Sequence, residues 1–206
     1  MTPNDVPTSH SPLVNESAGC NAGRLFIVSA PSGAGKTTLC EAVRRYFDDV
    51  IYSISYTTRA MRNGERHGED YFFISREEFE LGIRRNRWAE WANVHGNYYG
   101  TSARWITANL EQGKHVLLDI DVQGMRQLVR QFPEAVTIFI APPSMEELRR
   151  RLTYRGSDDD QTIELRMTNA QAEMEQQDRY RHVVLNDDLG QARQQLISII
   201  ASYLRG

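Results

Sequence analysis

The sequence predicts an α/β fold: a parallel sheet covered by helices on both faces, with a block of short strands inserted between two of its βα units. Three observations predict it. Apolar runs of strand length alternate with helical periodicities over most of the chain, which parallel strands require for their crossovers. The first βα unit carries a phosphate-loop spacing at its turn, Ala30 to Thr37. Between 55 and 101 the alternation breaks into short strands around a single helix, the pattern of an insertion.

Taken in order, residues 1–22 are rich in Pro, Ser, Asn and Thr without periodicity and read as a flexible tail before a domain at 23–206. Residues 25–28 are apolar and suit a buried strand, and Leu39, Cys40, Val43 and Phe47 recur at helical intervals after the loop. Residues 51–58 alternate as one strand up to Arg59, and 60–69 form a charged loop. A strand at 70–74 follows, then Ser75 with Glu78 as a capping box for a helix bearing Phe79 and Ile83. Residues 88–94 read as a strand and 97–101 as a tight return. A helix with Ile106 and Leu110 stops at Gly113, a strand runs over 115–121, a helix over 123–132 and a buried strand over 135–140. Pro142 and Pro143 end that strand, and residues 144–147 cap a helix running into Arg149, Arg150, Arg151 and Arg155. After a polar break at 156–160, a long polar helix to about Tyr180 leads to a strand at 183–185 and a last helix with Leu196, Ile199, Ile200 and Tyr203.

Composition narrows the classes. At 206 residues, 40% hydrophobic and 25% charged, the chain has the balance of a soluble globular domain with a substantial core. A net charge of −3 gives no general reason to expect nucleic acid or an anionic membrane as partner. No apolar run approaches the ~20 residues that span a bilayer, and the N-terminus has no signal pattern, so a cytoplasmic address is expected. Of the two cysteines, Cys20 lies in the tail and Cys40 in the apolar stripe of the first helix, which argues against a disulfide. The five histidines show no metal-ligand spacing.

The loop carries the chemistry most clearly. In Ala30-Pro31-Ser32-Gly33-Ala34-Gly35-Lys36-Thr37-Thr38 the glycines let consecutive N–H groups curl around phosphate oxygens, and the helix N-terminus adds partial positive charge. Lys36 can reach β- and γ-phosphates, and the Thr37 hydroxyl is placed to ligate Mg²⁺. Ala30 stands where the strict pattern has Gly.

Around this loop the chain resembles a guanylate kinase. Residues 30–36, Ser55-Tyr56-Thr57-Thr58-Arg59, Gly96-Asn97-Tyr98-Tyr99-Gly100, Leu118-Asp119-Ile120-Asp121 and Asn186-Asp187-Asp188 follow one another in that family's order, over about residues 24–205. The resemblance implies a three-layer P-loop NTPase fold with a core (23–54, 102–149 and 167–206), a GMP-binding insertion (55–101) and a helical lid (150–166). It implies transfer of the ATP γ-phosphoryl group to GMP, with dGMP as a further acceptor, in purine nucleotide metabolism. It brings ATP, GMP and Mg²⁺ as partners and leaves monomer or homo-oligomer open.

Residue by residue, the resemblance puts the GMP phosphate on Ser55, Arg59, Arg62 and Tyr71, with Tyr99 on the phosphate side. Arginine forks match phosphate oxygens bidentately, which suits that role. It gives guanine recognition to Glu90, with Asp121 as a second acceptor, Asp119 close by and Thr101 as donor to O6, where Ser is common in the family. Asp119 and Asp121 end a strand at the expected phosphate site, and either can reach Mg²⁺ through water. Arg155 and Arg166 match the lid arginines that join Lys36, Arg59 and Arg62 as catalytic groups, and Asn186 matches a position near the ATP adenine. Other readings consistent with these residues are a scaffold domain of this type that binds phosphorylated partners, and a kinase for another nucleoside monophosphate or a regulatory P-loop NTPase. The intact Lys36, Thr37 and Asp119/Asp121 set weighs against the first, and Glu90 with Asp121 against the second.

Overall fold

The computed structural model describes residues 22–94, 96–154, 156 and 159–205. Arg155, His95, Cys20 and all of the expected tail except Ala22 lie outside the described residues.

The core is a five-stranded parallel sheet in the order β2 (Val50–Tyr52), β7 (His115–Asp119), β1 (Leu25–Ser29), β8 (Val136–Ala141), β9 (His182–Leu185). β1 lies at the centre and is buried throughout, so it needs apolar residues on both faces. Its residues alternate between two cores. Phe26 and Val28 pack with Leu39, Val43, Leu196 and Ile200 from α1 (Lys36–Tyr46) and α7 (Leu189–Leu204). Leu25 and Ile27 pack on the opposite side with Ile106, Met125 and Leu128 from α3 (Ala103–Glu111) and α4 (Val122–Gln131). Helix, sheet, helix: three layers follow directly from the alternation in β1.

A second sheet runs in the order β4 (Phe72–Phe73), β3 (Tyr56–Thr57), β6 (Asn97–Ser102), β5 (Trp88–Val94). It is closed on one side by α2 (Arg76–Arg84), whose Phe79 ring stacks on Trp88 at 4.4 Å and on Tyr98 at 5.1 Å. Ser75 caps α2 as expected, accepting a hydrogen bond from the Glu78 N–H at 3.1 Å. A helical pair, α5 (Met145–Tyr154) and α6 (Asp160–Met174), encloses a small core of its own with Leu148, Leu152, Ile163, Met167 and Ala170.

Four expected boundaries move, each for a local reason. Residues 51–58 are two strands, not one: Ser53 N–H closes the core pairing on Leu117 O, and the Ser55 carbonyl already accepts from Phe72 N–H in the second sheet. Residues 97–101 are not a return but part of β6; the Asn93 side chain accepts from Gly96 N–H and closes the turn before them. The strand at 115–121 stops at Asp119, because Asp121 leaves the sheet to cap α4, its Oδ1 accepting from Gly124 N–H at 2.7 Å. The long polar helix ends at Met174, and a 3₁₀ turn (Gln177–Arg179) then swings Tyr180 inward onto Phe139. Among the described residues no helix is long and apolar enough to cross a membrane.

Candidate active site

The turn after β1 has the shape its glycines require. Gly33 and Gly35 take φ of +92° and +91°, a region costly for residues with a Cβ. Space is equally closed to them, since a Cβ on Gly35 would stand 2.4 Å from Asn186 Nδ2 and one on Gly33 2.9 Å from Leu152 Cδ2. Asn186 is buried and donates from Nδ2 to Ala34 O at 2.7 Å, while its own carbonyl accepts from Arg151 Nη2 at 3.1 Å. The residue matched to the adenine therefore has its amide against the phosphate loop, as a brace from the β9–α7 turn. Lys36 and Thr37 open α1, and Lys36 Nζ donates to Ile120 O at 3.3 Å, which aims it across to the end of β7.

Beside the loop lies a cavity of about 330 Å³. Ser55, Tyr71, Tyr99 and Glu90 line it from the insertion, and Lys36, Asp119 and Asp121 from the core. Residues scattered over 85 positions of sequence are thus brought to one concavity at the carboxyl ends of β1 and β7, where α/β sheets collect their ligands. Arg59 stands just behind. Its guanidinium makes a bidentate pair with Glu65, 3.0 Å from Nη1 and 2.6 Å from Nη2, and lies 5.5 Å from the Tyr71 ring centre. Glu65 also accepts from the Arg62 N–H at 2.8 Å, and its carboxyl is held below the usual range by Arg59 first and that backbone bond second. The hydroxyls of Thr57 and Thr58 serve the scaffold: Thr57 donates to Tyr98 O and Thr58 accepts from Tyr98 N–H, pinning β3 to β6 ahead of Arg59.

Glu90 is 6% exposed. Burial pushes its carboxyl up to about 7; the hydrogen bond from Thr101 opposes that, Asp121 reinforces it and Lys36 opposes it. Thr101 Oγ1 donates to Glu90 Oε1 at 2.6 Å. Asp119 accepts from the Tyr52 hydroxyl, whose pKa is raised by burial first and by Asp119 second.

In the helical pair, Arg149 pairs with Glu164 across α5 and α6, and Arg150 and Arg151 share Glu147, whose carboxyl they hold down at about 2. Arg149 and Arg150 lie on the solvated face of α5. Arg166 is half-buried on α6, and Arg155 falls outside the described residues. His67, His115 and His182 are structural: Nδ1 of His67 accepts from Phe73 N–H, Nδ1 of His115 from Arg24 N–H, and His182 meets Tyr203 Oη. Cys40 is buried and free.

Among the described residues no three His, Cys, Asp or Glu side chains are grouped to hold a metal. One hydroxyl at Thr37 and two carboxylates at Asp119 and Asp121 are too few for an all-protein cage. They do suit Mg²⁺, which keeps waters and takes substrate phosphates among its ligands. A larger groove of about 850 Å³ runs between α1 and α7, with Arg45, Tyr46 and Arg193 on its walls; Thr38 is the one residue assigned to nucleotide that it touches.

Sequence reasoning missed Glu65 and Tyr52. Glu65 lies in a charged loop without periodicity, and Tyr52 reads as an ordinary strand aromatic; only the folded geometry shows what they hold.

Comparison with known proteins gives one answer. The family described as guanylate kinase matches residues 22–203. The chain is 50% identical over 179 residues to a guanylate kinase of Dechloromonas aromatica, covering 87% of this chain and 89% of the relative. It is 50% identical over 178 residues to one of Geobacter sulfurreducens, covering 86% and 88%. The crystal structure of guanylate kinase from Anaplasma phagocytophilum superimposes with a TM-score of 0.70 at 33% identity, over 88% of this chain and 86% of that one.

Proposed function

This chain belongs to the guanylate kinase family and is an ATP:GMP phosphotransferase, and on that premise we propose how its own residues divide the work. ATP phosphates lie on the amides of residues 30–38 at the N-terminus of α1, where both N–H groups and helix dipole favour anions. Lys36 turns from Ile120 O toward the transferred group. GMP occupies the 330 Å³ cavity, its phosphate on Ser55, Tyr71, Tyr99, Arg59 and Arg62 and its base at Glu90 and Asp121. The observation that carries this is the shared cavity: the loop lysine lines one space with Ser55, Tyr71, Tyr99 and Glu90 of the insertion, an arrangement that suits donor and acceptor phosphates meeting end to end.

No general base is required, because the attacking oxygen belongs to an acceptor phosphate that is already anionic. The protein's task is positioning and charge stabilisation. Glu65 holds the Arg59 fork in place beside Tyr71, and Arg166 adds positive charge from α6, joined by Arg155 as the family resemblance implies. Bound Mg²⁺ would be held by Thr37 with Asp119 or Asp121 through water, and it neutralises charge on the donor phosphates. Guanine presents N1–H and an exocyclic amino group as donors, so the ionised Glu90 is the binding form. A buried acceptor left without its donors rejects adenine strongly, by a factor of up to ~10⁴. ATP and GMP are the partners of this reading, and the reaction is placed in the cytoplasm.

A coupled ADP-release assay over GMP, dGMP, AMP, UMP and CMP tests it. Turnover is expected with GMP and dGMP and near background with the others. Faster turnover with AMP or UMP would move the base-reading role away from Glu90.

A further inference from the structure

Strand β5 is the edge of its sheet, so the outward backbone groups on either side of Glu90 lack a strand partner. Helix α4 of the core supplies one. The Gln127 side chain takes both groups of Trp91, its Oε1 accepting from Trp91 N–H at 3.2 Å and its Nε2 donating to Trp91 O at 2.9 Å. Gln131 Nε2 donates to Ala89 O at 2.7 Å. Ala89 has no Cα partner across the β5–β6 ladder, because a bulge falls between Trp88 and Glu90. Bulges re-aim side chains and recur beside active sites, and this one is held by a helix outside its own sheet.

One turn ahead of Gln127 on the same helix is Gly124. A Cβ there would stand 2.8 Å from Glu90 Oε2 and 3.3 Å from Glu90 Cδ. Its φ is not in the left-handed region, so backbone conformation does not explain the glycine. Ordinary helix propensity argues against it, since Ala is the better helix former. The close approach of the Glu90 carboxylate is what the missing side chain permits. Gly124, Gln127 and Gln131 lie three and four residues apart, on one face of α4.

We propose that this face of α4 is the positioning element for Glu90: Gly124 leaves room for its carboxylate, while Gln127 and Gln131 fix the backbone on either side of it. Base selection by the insertion is then set by a helix of the core. The inference rests on Glu90 reading the base, and the experiment separates the two claims.

Gly124→Ala, Glu90→Ala, the double variant and Gln127→Leu are compared for GMP KM, kcat at saturating GMP, GMP/AMP preference and Tm. In Gly124→Ala the flexible end of Glu90 must give way, so the fold survives with Tm unchanged or higher. The GMP KM rises about 10- to 100-fold, the range for a displaced hydrogen bond to a charged group, and kcat changes little. In the Glu90→Ala background the same substitution adds less than about twofold, because its effect passes through Glu90. Gln127→Leu, one methylene shorter and at a partly exposed position, raises the GMP KM by about 3- to 10-fold, as for one or two neutral hydrogen bonds. An equal rise from Gly124→Ala in both backgrounds, or an unchanged KM in Gly124→Ala and Gln127→Leu while Glu90→Ala is impaired, overturns the positioning role alone. Unchanged KM and preference in Glu90→Ala overturns the base reading and this inference with it.

Discussion

The phosphate loop and the acceptor cavity are both proposed phosphate sites, yet they are assembled in different ways. The loop is one unbroken stretch, 30–38, whose donors are backbone amides and whose shape is dictated by Gly33 and Gly35. The cavity beside it takes Ser55, Tyr71, Glu90, Tyr99, Asp119 and Asp121 from separate elements of two sheets. Groups in and behind it are held by neighbours: Glu90 by Thr101 and α4, Asp119 by Tyr52, and Arg59 by Glu65. Backbone recognition is local and blind to the base. Side-chain recognition is distributed, selective, and dependent on residues that never touch the ligand.

If the two regions are separable, Lys36→Ala should show it with the largest effect. Loss of a preorganised cation at the transferred phosphate should lower kcat by about 10³-fold or more, with GMP affinity by calorimetry within about threefold of the parent. Lys36 lines the shared cavity, so a small change in GMP affinity is expected. Equal losses in transfer and GMP affinity would show one site where two are described.

A sharper contrast comes from Arg59. Its fork is engaged by Glu65 on one edge, so Arg59→Lys keeps the charge and loses the geometry. The GMP KM should rise by about 10- to 100-fold, while the KM for ATP, held by loop amides, stays near its parent value. Glu65→Gln, which keeps size and two hydrogen-bonding atoms but loses the charge, should have a smaller effect of about 3- to 10-fold on the GMP KM. If Glu65→Gln proved as harmful as Arg59→Lys, Glu65 would be acting on more than Arg59.

The same contrast explains what could be read before the fold was known. The loop was legible because strand, glycines, lysine and helix are contiguous, and each is required by the conformation at that point. The layer order was legible too: β1 alternates between two cores, and its neighbours are short apolar runs. The strand break at 53–55 was not, because the residues alternate straight through it and only pairing to Leu117 on one side and Phe72 on the other divides them. Nor was the strand at 97–102, where Gly100 suggests a turn; a Cβ there would come within 2.9 Å of both Glu90 O and Phe79, so the glycine serves close packing. The insertion's positions in the cavity were reached only through resemblance to a family. For Asn186 and Thr101 the structure adds what that route does not carry: the Asn186 amide braces the loop, and the Thr101 hydroxyl donates to Glu90.

Glu90 supplies the effect that separates fold from function most directly. Its carboxyl titrates near 7 in the folded chain against an ordinary 4.5, chiefly through burial. Between those two values the folded state keeps a proton that the unfolded chain has released, so stability falls as pH rises through this window. Glu173 is pushed up to about 7 in the same direction, by burial first, then Asp121, with Lys36 opposing, so the slope has two contributors. Glu90→Gln, which cannot ionise, should remove one of them: denaturant unfolding at pH 5, 6, 7 and 8 should give a shallower decline. The variant should match the parent near pH 5 and exceed it by up to about 3 kcal/mol at pH 8. Guanine binding runs the other way, since the ionised carboxylate accepts the base donors. GMP affinity of the parent, compared with Glu90→Gln at each pH to cancel titration of the GMP phosphate itself, should therefore improve as pH rises from 6 to 8. The phosphate loop carries no carboxylate of its own and acts on that slope only through Lys36, which opposes the rise at Glu90 and Glu173. A decline in stability unaltered by Glu90→Gln would mean that this side chain is solvated in the folded enzyme, and that base selection depends on some other buried group.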